Sequence, residues 1–143
     1  MRATFPAVLF AMMVAADACG GDSDPVDPAV VAATAGTYTL TQANGAPLPF
    51  KYFQSDTSRF DIIRGKIILE SNFDMTDEQT SVETRLNNGA VIGEEATQRY
   101  LGTWSIRGDS VRLVYPGLGV QMAGRSGTTL ELTDGSLILT YNK

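Results

Sequence analysis

From Gly36 onward the chain keeps returning to one pattern, apolar and polar residues in alternation, and no other feature limits its fold as much. Successive side chains of a β-strand point to opposite faces, so a period of two marks a strand with one face buried and one in water. In Gly36-Thr37-Tyr38-Thr39-Leu40-Thr41 the Tyr and Leu share one face and the threonines the other. Between Lys66 and Met75 the inner face reads Ile67, Leu69, Phe73 and Met75, with Ile68, Glu70, Asn72 and Asp74 opposite. Phe60 and Ile62 have the other parity, which demands a bulge or turn near Arg64-Gly65. Asn44-Gly45 is turn chemistry, and Pro47 and Pro49 restrict Leu48 to Phe53 to an edge strand or an irregular extended segment.

The second half repeats the pattern with shorter connections. Thr80, Val82, Thr84 and Leu86 alternate with Ser81, Glu83 and Arg85, which places Val82 inward, and Asn87-Asn88-Gly89 reads as a hairpin turn. A returning strand from Arg99 to Arg107 places Tyr100, Gly102, Trp104 and Ile106 inward; Gly108-Asp109 turns it into Val111, Leu113 and Tyr115. Further runs are Val120 to Met122, Thr128 to Thr133 and Leu137 to Tyr141, the last two joined by Asp134-Gly135. Eight or nine strands and no helix are expected beyond the N-terminal apolar segment. Such spacing predicts an all-β fold, an antiparallel up-and-down barrel of about eight strands, because closure removes both sheet edges; a β-sandwich is the alternative. A chain of 143 residues suits one domain.

The N-terminus has a different character. Arg2 precedes the apolar stretch Phe5 to Ala16, which is shorter than the roughly 20 residues that span a bilayer, and Ala16-Asp17-Ala18 offers a small-x-small cleavage pattern. Residues 1–18 are therefore read as a signal peptide, with the single cysteine, Cys19, at the head of the exported chain. The stretch from Gly20 to Ala35 is rich in Gly, Pro, Asp and Ala and has no aromatic residue, so residues 19–35 are read as a disordered acidic tether and 36–143 as the barrel. Asp22, Asp24 and Asp27 lack the Gly and the terminal Glu of a calcium loop, and no metal is assigned to them.

In its Cys-Gly-Gly start, acidic tether, Gly-Thr-Tyr-Thr-Leu strand, Asn-Gly-x-Pro-Leu-Pro segment and later Gly102-Thr103-Trp104, the chain resembles small lipocalin-like bacterial lipoproteins. True lipocalins place a Gly-x-Trp signature on the first strand, whereas here Tyr38 has the early place and the Trp comes late. The resemblance implies a lipid on Cys19, anchorage to the cell envelope at the outer membrane, and a barrel interior able to take a ligand.

Charge and composition exclude more than they assign. A net charge of −5, with the eleven basic residues scattered, argues against nucleic acid as a partner. The absence of histidine removes the usual neutral-pH proton carrier and the commonest zinc ligand. The carboxylate clusters Glu94-Glu95 and Asp74-x-x-Asp77-Glu78 fall near expected turns and are read as solvated, so neither a catalytic residue nor a cofactor is assigned and an enzyme is not expected. Two readings stay open: a monomeric binding module holding a small apolar or amphipathic molecule against Tyr38, Tyr100, Trp104 and Tyr141, or a filled barrel that serves as a structural head for an envelope partner.

Overall fold

The computed structural model describes residues 26–87 and 90–143. A short helix α1 (Pro28–Thr34) leads into ten strands: β1 (Gly36–Ala43), β2 (Ala46–Pro47), β3 (Phe50–Gln54), β4 (Ser58–Leu69), β5 (Asp74–Asn87), β6 (Ala90–Arg107), β7 (Ser110–Tyr115), β8 (Gly119–Ser126), β9 (Thr129–Asp134) and β10 (Leu137–Asn142). Strands β4 to β10 form an antiparallel meander, and β1 closes it by pairing with β4 on one side and β10 on the other. The result is a closed eight-stranded up-and-down barrel, as the alternation predicts, with β2 and β3 as extra strands.

Closure depends on irregularities that bend the strands. The β4–β5 register shifts between Ile62 and Arg64, where the sequence parity requires it, so Ile62 and Ile67 both reach the core despite their odd separation. A second shift in β1, between Leu40 and Gln42, does the same for Leu40 and Ala43. Strand β6 runs past its neighbour: it pairs with β7 only through Thr103–Arg107, so the β5–β6 hairpin stands above one end of the barrel.

The opposite end is closed. Tyr38, Leu69, Met75, Leu113 and Leu130 are fully buried there and along the barrel, and the Trp104 indole packs on Phe73, its Nε1–H donating to the Glu70 carbonyl at 2.8 Å. Helix α1 lies across this end. Val31 and Thr34 are buried, the Tyr38 hydroxyl donates to the Thr34 carbonyl at 2.7 Å, and the Lys143 ammonium bonds the carbonyls of Ala33 and Ala35.

Three expectations need correction. The tether does not extend to Ala35: Asp27 caps the helix through the Ala29 N–H, Pro28 preorganises its first turn, and Val31 with Thr34, three residues apart, share the face that meets the barrel. Phe73 is not inward; with φ +70° it sits in the turn before β5, where its exposed ring covers Trp104 from outside. Val82 is not inward either. Strand β5 is continuous from Asp74 to Asn87 and keeps the phase of Met75, so Asp77, Gln79 and Ser81 face the interior, and Thr80, on the opposite face and itself covered by its neighbours, bonds Thr97. The signal segment, Cys19 and the Asn88-Gly89 pair of the expected turn lie outside the described residues.

Candidate functional site

The interior is packed toward α1 and open toward the turns that follow β7 and β9. At that mouth lies a cup of about 360 Å³. Its walls come from six strands: Asp77 and Gln79 on β5, Gln98 and Tyr100 on β6, Tyr115 on β7, Gln121 on β8, Asp134 on β9, and Leu139 with Tyr141 on β10; Leu118 and Val120 add an apolar rim. Each wall residue has the inward phase of its strand, because Asp77 pairs with Tyr100 and Gln79 with Gln98 across the β5–β6 ladder. Above Thr103, β6 has no partner strand on its β7 side among the described residues, and the wall is incomplete beside Tyr100.

The cup is a polar lining in an apolar barrel. The Tyr115 hydroxyl donates to Asp77 Oδ2 at 2.9 Å, and the Tyr100 ring meets the Tyr115 ring edge-on with centroids 6.2 Å apart. Burial pushes the Asp77 carboxyl above the ordinary aspartate value, against the opposing effect of the Tyr115 hydrogen bond. The hydroxyls of Tyr115 and Tyr141 are pushed well above the usual tyrosine range, first by burial and then by the nearby Asp77 charge. The Tyr141 hydroxyl has no hydrogen-bond partner among the described residues, and neither Asp77 Oδ1 nor the amides of Gln79 and Gln121 has one. These groups open onto the cup, where a bound molecule can take up their unused donors and acceptors.

A second, shallower cavity of about 230 Å³ shares Gln79, Gln98 and Asp134 with the cup and continues it under β3 and β4, along Tyr52, Phe60, Ile62 and Leu137. The two adjoin through these shared residues, and the flank sets Phe60, Ile62 and Leu137 beside the polar Gln79, Ser81, Gln98 and Asp134.

Of the three tyrosines and one tryptophan expected to touch a ligand, Tyr100 and Tyr141 line the cup. Tyr38 and Trp104 do not; both are spent at the closed end, on the Thr34 and Glu70 carbonyls. The carboxylate clusters are dispersed. Glu95 pairs with Arg64 at 2.9 Å on the outer surface, and Glu78 lies between Lys66 at 2.9 Å and Arg99 at 3.4 Å, also outside. Asp74 caps its own turn with Asn72. Only Asp77 of that run enters the interior, and the sequence signal for it was the unbroken parity from Met75. No group of three or more potential metal ligands occurs among the described residues.

Comparison with models of known families, with curated proteins and with solved structures finds no match.

Proposed function

We propose that this protein is an envelope lipoprotein whose lipocalin-like barrel holds a small amphipathic molecule at its mouth. The observation that carries the reading is the cup itself: unpaired polar groups gathered beside Asp77, with Phe60, Ile62 and Leu137 on the adjoining flank. Its volume lies in the range of small-molecule sites. Helix α1 lies across the end opposite the cup and leaves the mouth clear. Membrane attachment is tested by labelled fatty acid, which should enter the wild-type protein and not Cys19→Ser. Ligand binding is tested with the neutral dye Nile red. A saturable rise in emission that is lost in Gln121→Trp, which fills the cup, supports the reading; a rise indifferent to that change places the dye elsewhere and removes it.

A hydrolytic reading is favoured by one observation, that Asp77 and Asp134 line the same cup and burial raises the first. Turnover of aryl glycosides by the wild type and not by Asp77→Asn would select it.

A further inference from the structure

We propose that the cup receives the head of a cationic amphiphile, an alkylammonium whose nitrogen lies between the free Asp77 oxygen and the tyrosines and whose tail follows Phe60 and Ile62. The inference rests on the binding reading above and adds the sign of the ligand's charge.

Three observations carry it. Firstly, the combined lining of cup and flank contains two carboxylates, Asp77 and Asp134, and no Lys or Arg. Of the basic residues on the neighbouring strands, Arg64 pairs with Glu95 and Lys66 and Arg99 pair with Glu78 outside the barrel, while Arg125 on β8 turns inward near Tyr38, toward the closed end and outside the lining of the cup. From the elements around it, Asp77 faces Ile67 on β4, Tyr100 on β6, Tyr115 on β7, Gln121 on β8, Asp134 on β9 and Tyr141 on β10. None of these can neutralise it, and an isolated buried carboxylate is costly unless it takes a proton or a cation.

Secondly, the unused groups suit an ammonium. Asp77 Oδ2 is occupied by the Tyr115 hydroxyl, which leaves Oδ1 to accept. The Tyr141 oxygen and the Gln79 and Gln121 carbonyls are further acceptors for the three N–H donors of a primary ammonium. Two aromatic rings, Tyr100 and Tyr115, also line the cup, the surroundings that cations favour. A fatty carboxylate, the simplest ligand for an apolar barrel, would instead meet two like charges.

Thirdly, Phe60, Ile62 and Leu137 line the flank that shares Gln79, Gln98 and Asp134 with the cup, so an alkyl tail has apolar contacts next to the place of the head.

Octylammonium, octan-1-ol and octanoate have one tail and three head charges. Calorimetric titration of each into the full exported chain at pH 7.5, where a primary amine is protonated, tests the assignment. Octylammonium should bind at least about tenfold more tightly than octanol, a difference of about 1.4 kcal/mol, and octanoate should bind worst. Asp77→Asn should bring octylammonium down to octanol and leave octanol unchanged. Equal binding of octylammonium and octanol to the wild type would overturn the charge assignment while the cavity reading stood. Failure of all three to bind would remove both. The wild-type series decides the matter even if Asp77→Asn does not fold.

Discussion

The Tyr115 hydroxyl donates to the Asp77 carboxylate at 2.9 Å, linking β7 to β5 over the intervening β6 at the one end of the barrel that is open. It is the only hydrogen bond to the Asp77 side chain among the described residues, and it opposes the burial that disfavours the charge. Tyr115→Phe keeps the ring against Tyr100 and deletes only the donor. Hydrogen bonds to charged groups contribute about 1.5–3 kcal/mol, and a loss in that range is expected at pH 7 by urea denaturation. A loss near zero would mean that Asp77 is already protonated there.

The pH dependence follows from the direction of the Asp77 displacement. Its folded value is raised, so the stability it contributes is fully present below the unfolded value of about 4 and is lost as pH rises through the folded value. Asp77→Asn never carries the charge. The variant should therefore melt higher than wild type at pH 7, and the gap should close on acidification to about pH 4. Glu78, held below the ordinary carboxylate range chiefly by the Lys66 hydrogen bond, acts in the opposite sense, but it is common to both proteins and cancels. A gap that stays constant with pH would exclude burial of an ionisable Asp77.

The legible part of this protein was whatever repeats along a strand. Alternation alone places Tyr38, Leu40, Ile67, Trp104, Leu113 and Tyr141 inward, and the structure buries all six. The parity conflict between Ile62 and Ile67 likewise announces the β4 bulge. The cup was hidden because its residues break the rule that inward means apolar: Asp77, Gln79 and Gln98 occupy inward positions on strands whose apolar residues there face out, such as Val82 and Leu101. A pattern read for hydrophobicity therefore inverts the phase of β5 just where the site begins. Helix α1 was illegible for a related reason, since one Val and one Thr make too narrow a stripe to show a 3.6-residue period.

Gly102 tests the seam between β6 and β7. A Cβ there would lie 2.1 Å from the Val114 carbonyl oxygen and 2.9 Å from Met75 Cε, and the carbonyl belongs to the ladder backbone and has nowhere to go. Gly102→Ala should cost about 3 kcal/mol, at the upper end of overpacking. Gly93 is the control on the same strand, where the nearest atom would be Val82 Cγ1 at an ordinary 3.6 Å. Gly93→Ala should be neutral or slightly stabilising, because it also restricts the unfolded chain. Equal melting temperatures for the two variants would show that β7 does not close on β6 at this height.

Trp104 tests the closed end, and through its fluorescence the separation of that end from the cup. It is 2% exposed, lies over the β4–β5 turn against Phe73, and holds the Glu70 carbonyl through its indole N–H. Removing a buried aromatic leaves a cavity and costs about 3–5 kcal/mol, so Trp104→Ala should bring a domain of this size close to unfolding. The neighbouring Thr103 points into water, and Thr103→Ala should stay within about 0.5 kcal/mol. The chain has a single Trp, and that residue is absent from the lining of both cavities. Its emission should be that of a buried indole and should not move when octylammonium fills the cup, although calorimetry registers the binding. A shift in emission on binding would mean that ligand reaches past Leu132 into the packed half of the barrel, and equal stability of the two variants would reverse the phase of β6.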